Sequence, residues 1–154
     1  MKKEALKKEL LEVLNKTLES LLAAHADTHE AATHEEAKPE NDKDTRALEQ
    51  SYLARGQAMR IEALKAGIAA TGVMSIAKTD VARAGALLEL EDEEGEAVLY
   101  FLAPEGGGTK LKGGVQVVTP ASPLGAAFMG KRDGEEVELK LAGKSRQWTV
   151  SRVT

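Results

Sequence analysis

The sequence contains no cysteine, which excludes a thiol nucleophile, a disulfide framework and cysteine-ligated zinc. Aromatic residues make up only 3% of it, so a single bulky core is not expected. Long apolar runs are also missing. The opening stretch MKKEALKKELLEVL is charged throughout, unlike a signal peptide or a membrane span, and a cytoplasmic chain without membrane contact is the expectation. Positive charge is not in surplus either. A net charge of -4 argues against holding nucleic acid by counterion release, so any RNA or DNA contact is expected to be indirect, through a protein partner.

What is present divides in two. With 154 residues the chain is long enough for one ordinary domain or two small ones, and the pattern predicts two: residues 1–72 and 73–154. From Lys2 to about Ala32 there is neither proline nor glycine, and Leu6, Leu10, Val13, Leu14, Leu18, Leu21 and Leu22 recur at helical spacing, which predicts one apolar stripe. Lys2, Lys3, Lys7, Lys8, Glu9, Glu12 and Lys16 fill the remaining faces as a solvated surface. A rod of some thirty residues, roughly 45 Å long, needs a partner helix. Pro39 breaks the pattern, so the hairpin turn is placed there. A second helix is read from Asp42 or Asp44 to Ala70, stopped at Thr71-Gly72, with Leu48, Tyr52, Met59, Ile61, Leu64 and Ile68 facing the first stripe.

Beyond Gly72 the period changes. Short apolar runs at 86–90, 98–102, 115–118, 137–141 and 148–150 are separated by turn signals at Glu94-Gly95, Asp133-Gly134 and Ala142-Gly143, which predicts an antiparallel sheet. Pro123 to Gly130 reads as a short helix packing Leu124, Phe128 and Met129 onto one sheet face. Gly106-Gly107-Gly108 lacks the Lys-Ser/Thr that a phosphate cradle requires and is read as a flexible loop.

Chemistry-bearing residues gather at the hairpin's far end. Between Asp27 and Asp44 lie Asp27, Glu30, Glu35, Glu36, Glu40, Asp42 and Asp44, against Lys38 and Lys43. Carboxylates suit Mg²⁺, which takes one or two of them when another molecule supplies the remaining ligands. Such a tip is suited to completing a metal site, not to owning one. His25 and His29 have the i,i+4 spacing that can share a metal, with His34 beyond, but no matching ligand set exists elsewhere and a polar helix end is the plainer reading. Arg46, Arg55 and Arg60 could contact a partner or simply face solvent. All three histidines lie on the rod, so no Ser/His/Asp hydrolase set is assembled. Tyr100, Phe101, Phe128 and Trp148 are equally explained as a pocket lining or as core.

Two stretches carry a family resemblance. Ser122-Pro123-Leu124-Gly125-Ala126-Ala127-Phe128-Met129-Gly130-Lys131-Arg132-Asp133-Gly134-Glu135-Glu136-Val137 resembles the SPLGxALLGKxxGDxV signature of the GreA/GreB C-terminal domain. Glu35 to Asp44 is similar to the GDLxENxEY tip of the Gre hairpin, with the family's Glu-Asn pair on Glu40-Asn41 and its upstream Asp near Glu36. Pro39 is added, and Lys43-Asp44 stand where the family has Glu-Tyr. The resemblance implies an α+β chain: an N-terminal antiparallel helical hairpin with its acidic tip near 35–44, then a small FKBP-like antiparallel β domain with a short helix.

It further implies an accessory factor for RNA polymerase, not an enzyme in itself. The hairpin would enter the secondary channel and stimulate cleavage of backtracked RNA. Glu36 and Glu40 would hold a Mg²⁺ shared with the polymerase, and Asn41 would orient it; no cofactor of the chain's own is implied. Glu35, Asp42, Asp44 and Arg46 at the tip, and Ser122, Pro123, Leu124, Gly125, Lys131 and Arg132 in the β domain, are the expected partner contacts. A monomer is expected. The alternatives are a regulator that occupies the channel without cleaving, and a structural adaptor or dimer built on the exposed hairpin stripe.

Overall fold

The computed structural model describes the backbone of residues 2–36, 44–141 and 143–154, and the side chains of 2–28, 48–140 and 143–154. The chain begins with helix α1, Lys3–Glu36, and helix α2, Asp44–Val73, packed as a hairpin. Strands follow: β1 (Leu87–Glu91), β2 (Ala97–Leu102), β3 (Lys110–Leu111) and β4 (Val115–Val118). Helix α3 (Pro123–Phe128) separates these from β5 (Glu136–Leu141) and β6 (Lys144–Val153). No helix among the described residues is long and apolar enough to cross a membrane.

The chain clusters into two compact units, one of Met1–Glu12 with Ala69–Thr154, the other Val13–Ile68. In the second unit Leu14, Ala54, Ile61 and Leu64 are buried, while Leu18, Leu21, His25, Gln57 and Ile68 are half-buried. On α2 this seam runs Ala54, Gln57, Ile61, Leu64, Ile68, alternating steps of three and four, which is the 3.5-residue repeat of a helix pair. Leu48, Tyr52 and Met59 do not join it. They are 52%, 58% and 69% exposed, because α2 carries apolar residues on two sides and only the side in heptad phase meets the partner helix. The expectation that all six apolar positions face α1 is corrected for these three.

In the first unit the six strands form one sheet in the order β3-β4-β2-β1-β6-β5. Every ladder is antiparallel except β2·β4, which is parallel, pairing Leu99 with Val115 and Leu102 with Val118. The sheet is therefore mixed, not wholly antiparallel as expected. A parallel pair needs a crossover of about a dozen residues, and segment 103–114 provides it. Within that crossover the glycine loop is a hydrogen-bonded turn: Thr109 N donates to Gly106 O at 3.0 Å and Gly108 N to Val117 O at 2.8 Å.

Register places the core. Leu88 opposes Tyr100, Leu90 opposes Val98 and Val150, and Val137 opposes Trp148. These residues share one face, and all but the partly buried Val98, which packs against them, form a single buried cluster with Leu102, Val118 and Phe128. Phe101, Val115 and Val117, on the alternate side of their strands, are fully buried too.

The N-terminal turns of α1 are tied to this unit by side chains that the sequence pattern placed in solvent. Lys3 Nζ donates to Ala77 O at 3.1 Å and Thr154 O at 2.6 Å, and Lys7 Nζ donates to Met74 O at 2.9 Å. Lys112 N donates to both carboxylate oxygens of Glu9, at 3.2 and 3.1 Å. Burial holds the Lys3 amine below its ordinary pKa, and the Arg83 charge pushes the same way. Three carbonyls and one amide are thus satisfied by charged groups, each worth more than a neutral hydrogen bond. Helix α2 also runs past the predicted stop: Thr71 is fully buried, and Met74 N donates to Thr71 O at 3.3 Å. Packing at Thr71 carries the helix through Gly72, whose intrinsic cost of about 1 kcal/mol is small by comparison.

Candidate functional site

Two regions hold the residues singled out by sequence. At the hairpin end, Glu36 is the last residue of α1 and Asp44 the first of α2. Glu40, Asn41 and Asp42 lie outside the described residues, as does the expected turn at Pro39, and the side chains of Glu35, Glu36, Asp44 and Arg46 lie outside the described side chains. Among the described residues no group of three or more His, Asp or Glu side chains could hold a metal ion.

The second region is built in detail. Ser122 caps α3 from an extended conformation (φ -74°, ψ 155°) with Pro123 in the first turn, which suits proline because that position has no intrahelical donor to lose. The Ser122 hydroxyl accepts from Gly125 N at 3.0 Å and donates to Thr119 O at 2.8 Å. The cap is therefore also a clasp between the turn and the end of β4. Ser122→Ala is expected to cost about 1 kcal/mol of stability, read as a lowered urea midpoint with an unchanged slope. Leu124 packs partly buried against the core, while Pro123 stays exposed.

Helix α3 ends at Phe128, and Met129 leaves the helical region (φ -56°, ψ 132°) as its C-cap. It is 38% exposed, so the expected contribution of Met129 to the sheet face is corrected. Leu124 and Phe128, four apart, make that face, and position 129 has rotated off it. Gly130 then turns the chain, and Ala82 N donates to Lys131 O at 2.8 Å. Lys131 lies 3.9 Å from Glu135. Arg132 Nη1 donates to Asp80 Oδ2 at 2.9 Å, with both side chains more than half exposed. This basic pair thus stands on a fixed turn beside α3. Asp80 is a residue that sequence reasoning missed: its partner is 52 positions away, and nothing local signals the pairing.

The aromatic residues resolve mainly as core. Phe128 lies 5.3 Å from Tyr100 and 6.0 Å from Trp148, the latter nearly perpendicular at 88°, the edge-to-face geometry that ring quadrupoles favour. Tyr100 and Trp148 also border a shallow cleft of about 360 Å³ rimmed by Asp92, Glu93, Glu94 and Arg146. Burial raises the Tyr100 hydroxyl above its usual pKa, and the Arg146 charge opposes it.

Residues 77–154 match the family model for the C-terminal domain of transcription elongation factor GreA/GreB, a span containing the capped turn, α3 and the basic pair. Among curated proteins there is no match. Solved structures similar to the chain include Gfh1 of Thermus aquaticus, 20% identical over 92% of both chains with a TM-score of 0.42. Others are GreA factor homolog 1 of Thermus thermophilus, 22% identical over 94% of both with a TM-score of 0.42, and GreA/GreB from Nitrosomonas europaea. The last is 18% identical over 84% of this chain and 93% of that one, with a TM-score of 0.40. With more than half its length matched to the family model and the signature turn in place, the chain belongs to the GreA/GreB family of transcription elongation factors.

Proposed function

We propose that the chain binds RNA polymerase through the face that presents Pro123, Lys131 and Arg132, shaped from beneath by Ser122, the partly buried Leu124 and the buried Gly125, and delivers the acidic hairpin tip into the secondary channel to stimulate cleavage of backtracked RNA. The observation that carries this reading is the family match over residues 77–154, joined to the concentration of acid between Asp27 and Asp44. The β unit supplies docking: Pro123 is exposed on a turn clasped by Ser122, and Arg132 is exposed on the turn that follows α3, so a partner meets a surface that has little ordering left to lose. The hairpin supplies reach.

At the tip Glu36 and Glu40 would share a Mg²⁺ with the polymerase, whose chemistry is the activation of water against a phosphodiester. Asn41 would orient the waters held there, and Glu35, Asp42, Asp44 and Arg46 would contact the channel. The polymerase provides most of the active site, and this chain is an accessory to it. Its contact with RNA and DNA is made through that complex.

The test is cleavage in stalled, backtracked complexes at fixed Mg²⁺. The chain is expected to shorten the RNA, and the double variant Glu36→Ala, Glu40→Ala to abolish shortening while polymerase binding persists. Cleavage unchanged in the double variant would overturn the tip assignment. Binding without any cleavage by the natural chain would favour the channel-occupying regulator, to which Lys43-Asp44 in place of Glu-Tyr already points.

A further inference from the structure

Helix α2 has an apolar face that the hairpin does not use. Leu48, Tyr52 and Met59 are 52%, 58% and 69% exposed, and Ala63 and Ala66, also exposed, continue the same line. At about 100° per residue this stripe lies about 180° around the helix from the seam residues Ala54, Ile61 and Leu64. Arg55 lies on the stripe, its guanidinium carbon 5.9 Å from the centre of the Tyr52 ring. Glu62 lies on the same flank as Arg55, one helical heptad further on. Gly56 is exposed, and among the described residues nothing stands within 4 Å of where its Cβ would be.

We propose that this face pairs with the same face of a second copy of the chain, antiparallel about a two-fold axis beside Met59. The stripe is self-complementary only in that arrangement. Tyr52 falls opposite Ala66 of the second copy, large against small, and the symmetry repeats the contact. Antiparallel pairing brings like flanks together, which sets Arg55 beside Glu62 of the second copy and forms two ion pairs across the axis. Gly56 lies on the opposite flank of the stripe at the same level, where it lets the backbones approach. A parallel pair would instead set Tyr52 against Tyr52 and leave Arg55 and Glu62 of the two copies on opposite sides of the interface.

The stripe from Leu48 to Ala66 is about 27 Å long, so one helix pair of that length is a small contact, at or below the low end of stable interfaces. Association is therefore concentration-dependent and not obligate, in contrast to the monomer expected from the sequence. On the polymerase reading above, pairing would cover one face of the hairpin that is to be inserted. The pairing itself does not depend on that reading.

Sedimentation of the full chain from low micromolar to submillimolar concentration tests it without polymerase. The natural chain is expected to pass from monomer to dimer, and Met59→Glu, which sets two carboxylates side by side at the axis, to raise the midpoint concentration by at least about tenfold. Its helical circular dichroism should be unchanged, since Met59 is exposed. Arg55→Glu and Glu62→Arg should each weaken the dimer, and the double exchange should restore it. A natural chain that stays monomeric throughout, a Met59→Glu dimer as stable as the natural one, or a double exchange no better than the single ones would overturn the proposal.

Discussion

Replacing Phe128 by alanine is expected to remove about 3–5 kcal/mol from the stability of the β unit. The ring is fully buried and sits between Tyr100 and Trp148, so truncation loses the transfer energy of the side chain and leaves a cavity that two rigid rings cannot collapse into. It is also the main anchor of a helix of only 6 residues, too short to persist without tertiary packing. Domains of this size hold about 5–15 kcal/mol in total, so the variant should be close to unfolded at physiological temperature. Trp148, the chain's one tryptophan, lies edge-on to Phe128 and reports the transition by fluorescence in a denaturant titration. Phe128→Leu keeps most of the volume and should cost less than about 1.5 kcal/mol. Equal midpoints for the alanine variant and the natural chain would mean that α3 is held by something other than this ring.

The parts of the fold that were legible in the sequence are those in which period and burial coincide. Leu88 and Leu90, or Val115 and Val117, alternate as half-buried strands must, and the two rods follow from Leu6, Leu10 and Leu14. Strand β6 shows where that logic stops. Trp148 and Val150 were visible in it, but the strand begins at Lys144, because Lys144 to Gln147 gain their pairing from β5 and not from burial. The parallel β2·β4 ladder was hidden for a related reason: direction is a property of the crossover, and apolar alternation is the same either way. On α2 the reading failed at Leu48, Tyr52 and Met59, since apolar content on two sides of a helix does not say which side is covered. At the α1 root, Lys3, Lys7 and Glu9 look like ordinary surface until the carbonyls and the amide they satisfy come into view. The signature turn was legible because its parts are local: a serine cap, a proline in the first turn and a glycine three positions after the cap. Its dependence on Thr119 was not.

That dependence sets the second large effect. Gly125→Ala is expected to destabilise the β unit by about 3 kcal/mol or more, although alanine is the better helix former. A Cβ at position 125 would stand 1.9 Å from Thr119 O, 2.6 Å from Thr119 C and 2.8 Å from Val118 Cγ1. Two of those atoms are backbone and cannot swing aside. The same Thr119 carbonyl accepts from the Ser122 hydroxyl and from Ser122 N at 3.1 Å, so moving it away from the new methyl would also open the clasp that presents Pro123. Gly85 repeats the situation with an added constraint: its Cβ would meet Ser75 O at 1.9 Å, and its φ of +93° is one that alanine rarely adopts. Gly72 is the control, since nothing lies within 4 Å of its Cβ position, and Gly72→Ala should gain up to about 1 kcal/mol. Calorimetry on the three variants should give melting temperatures lowered by more than about 10 °C at 125 and 85 and level or raised at 72. A Gly125→Ala variant that melts with the natural chain would show that the turn can give way, and the rigidity attributed to the docking face would have to be abandoned with it.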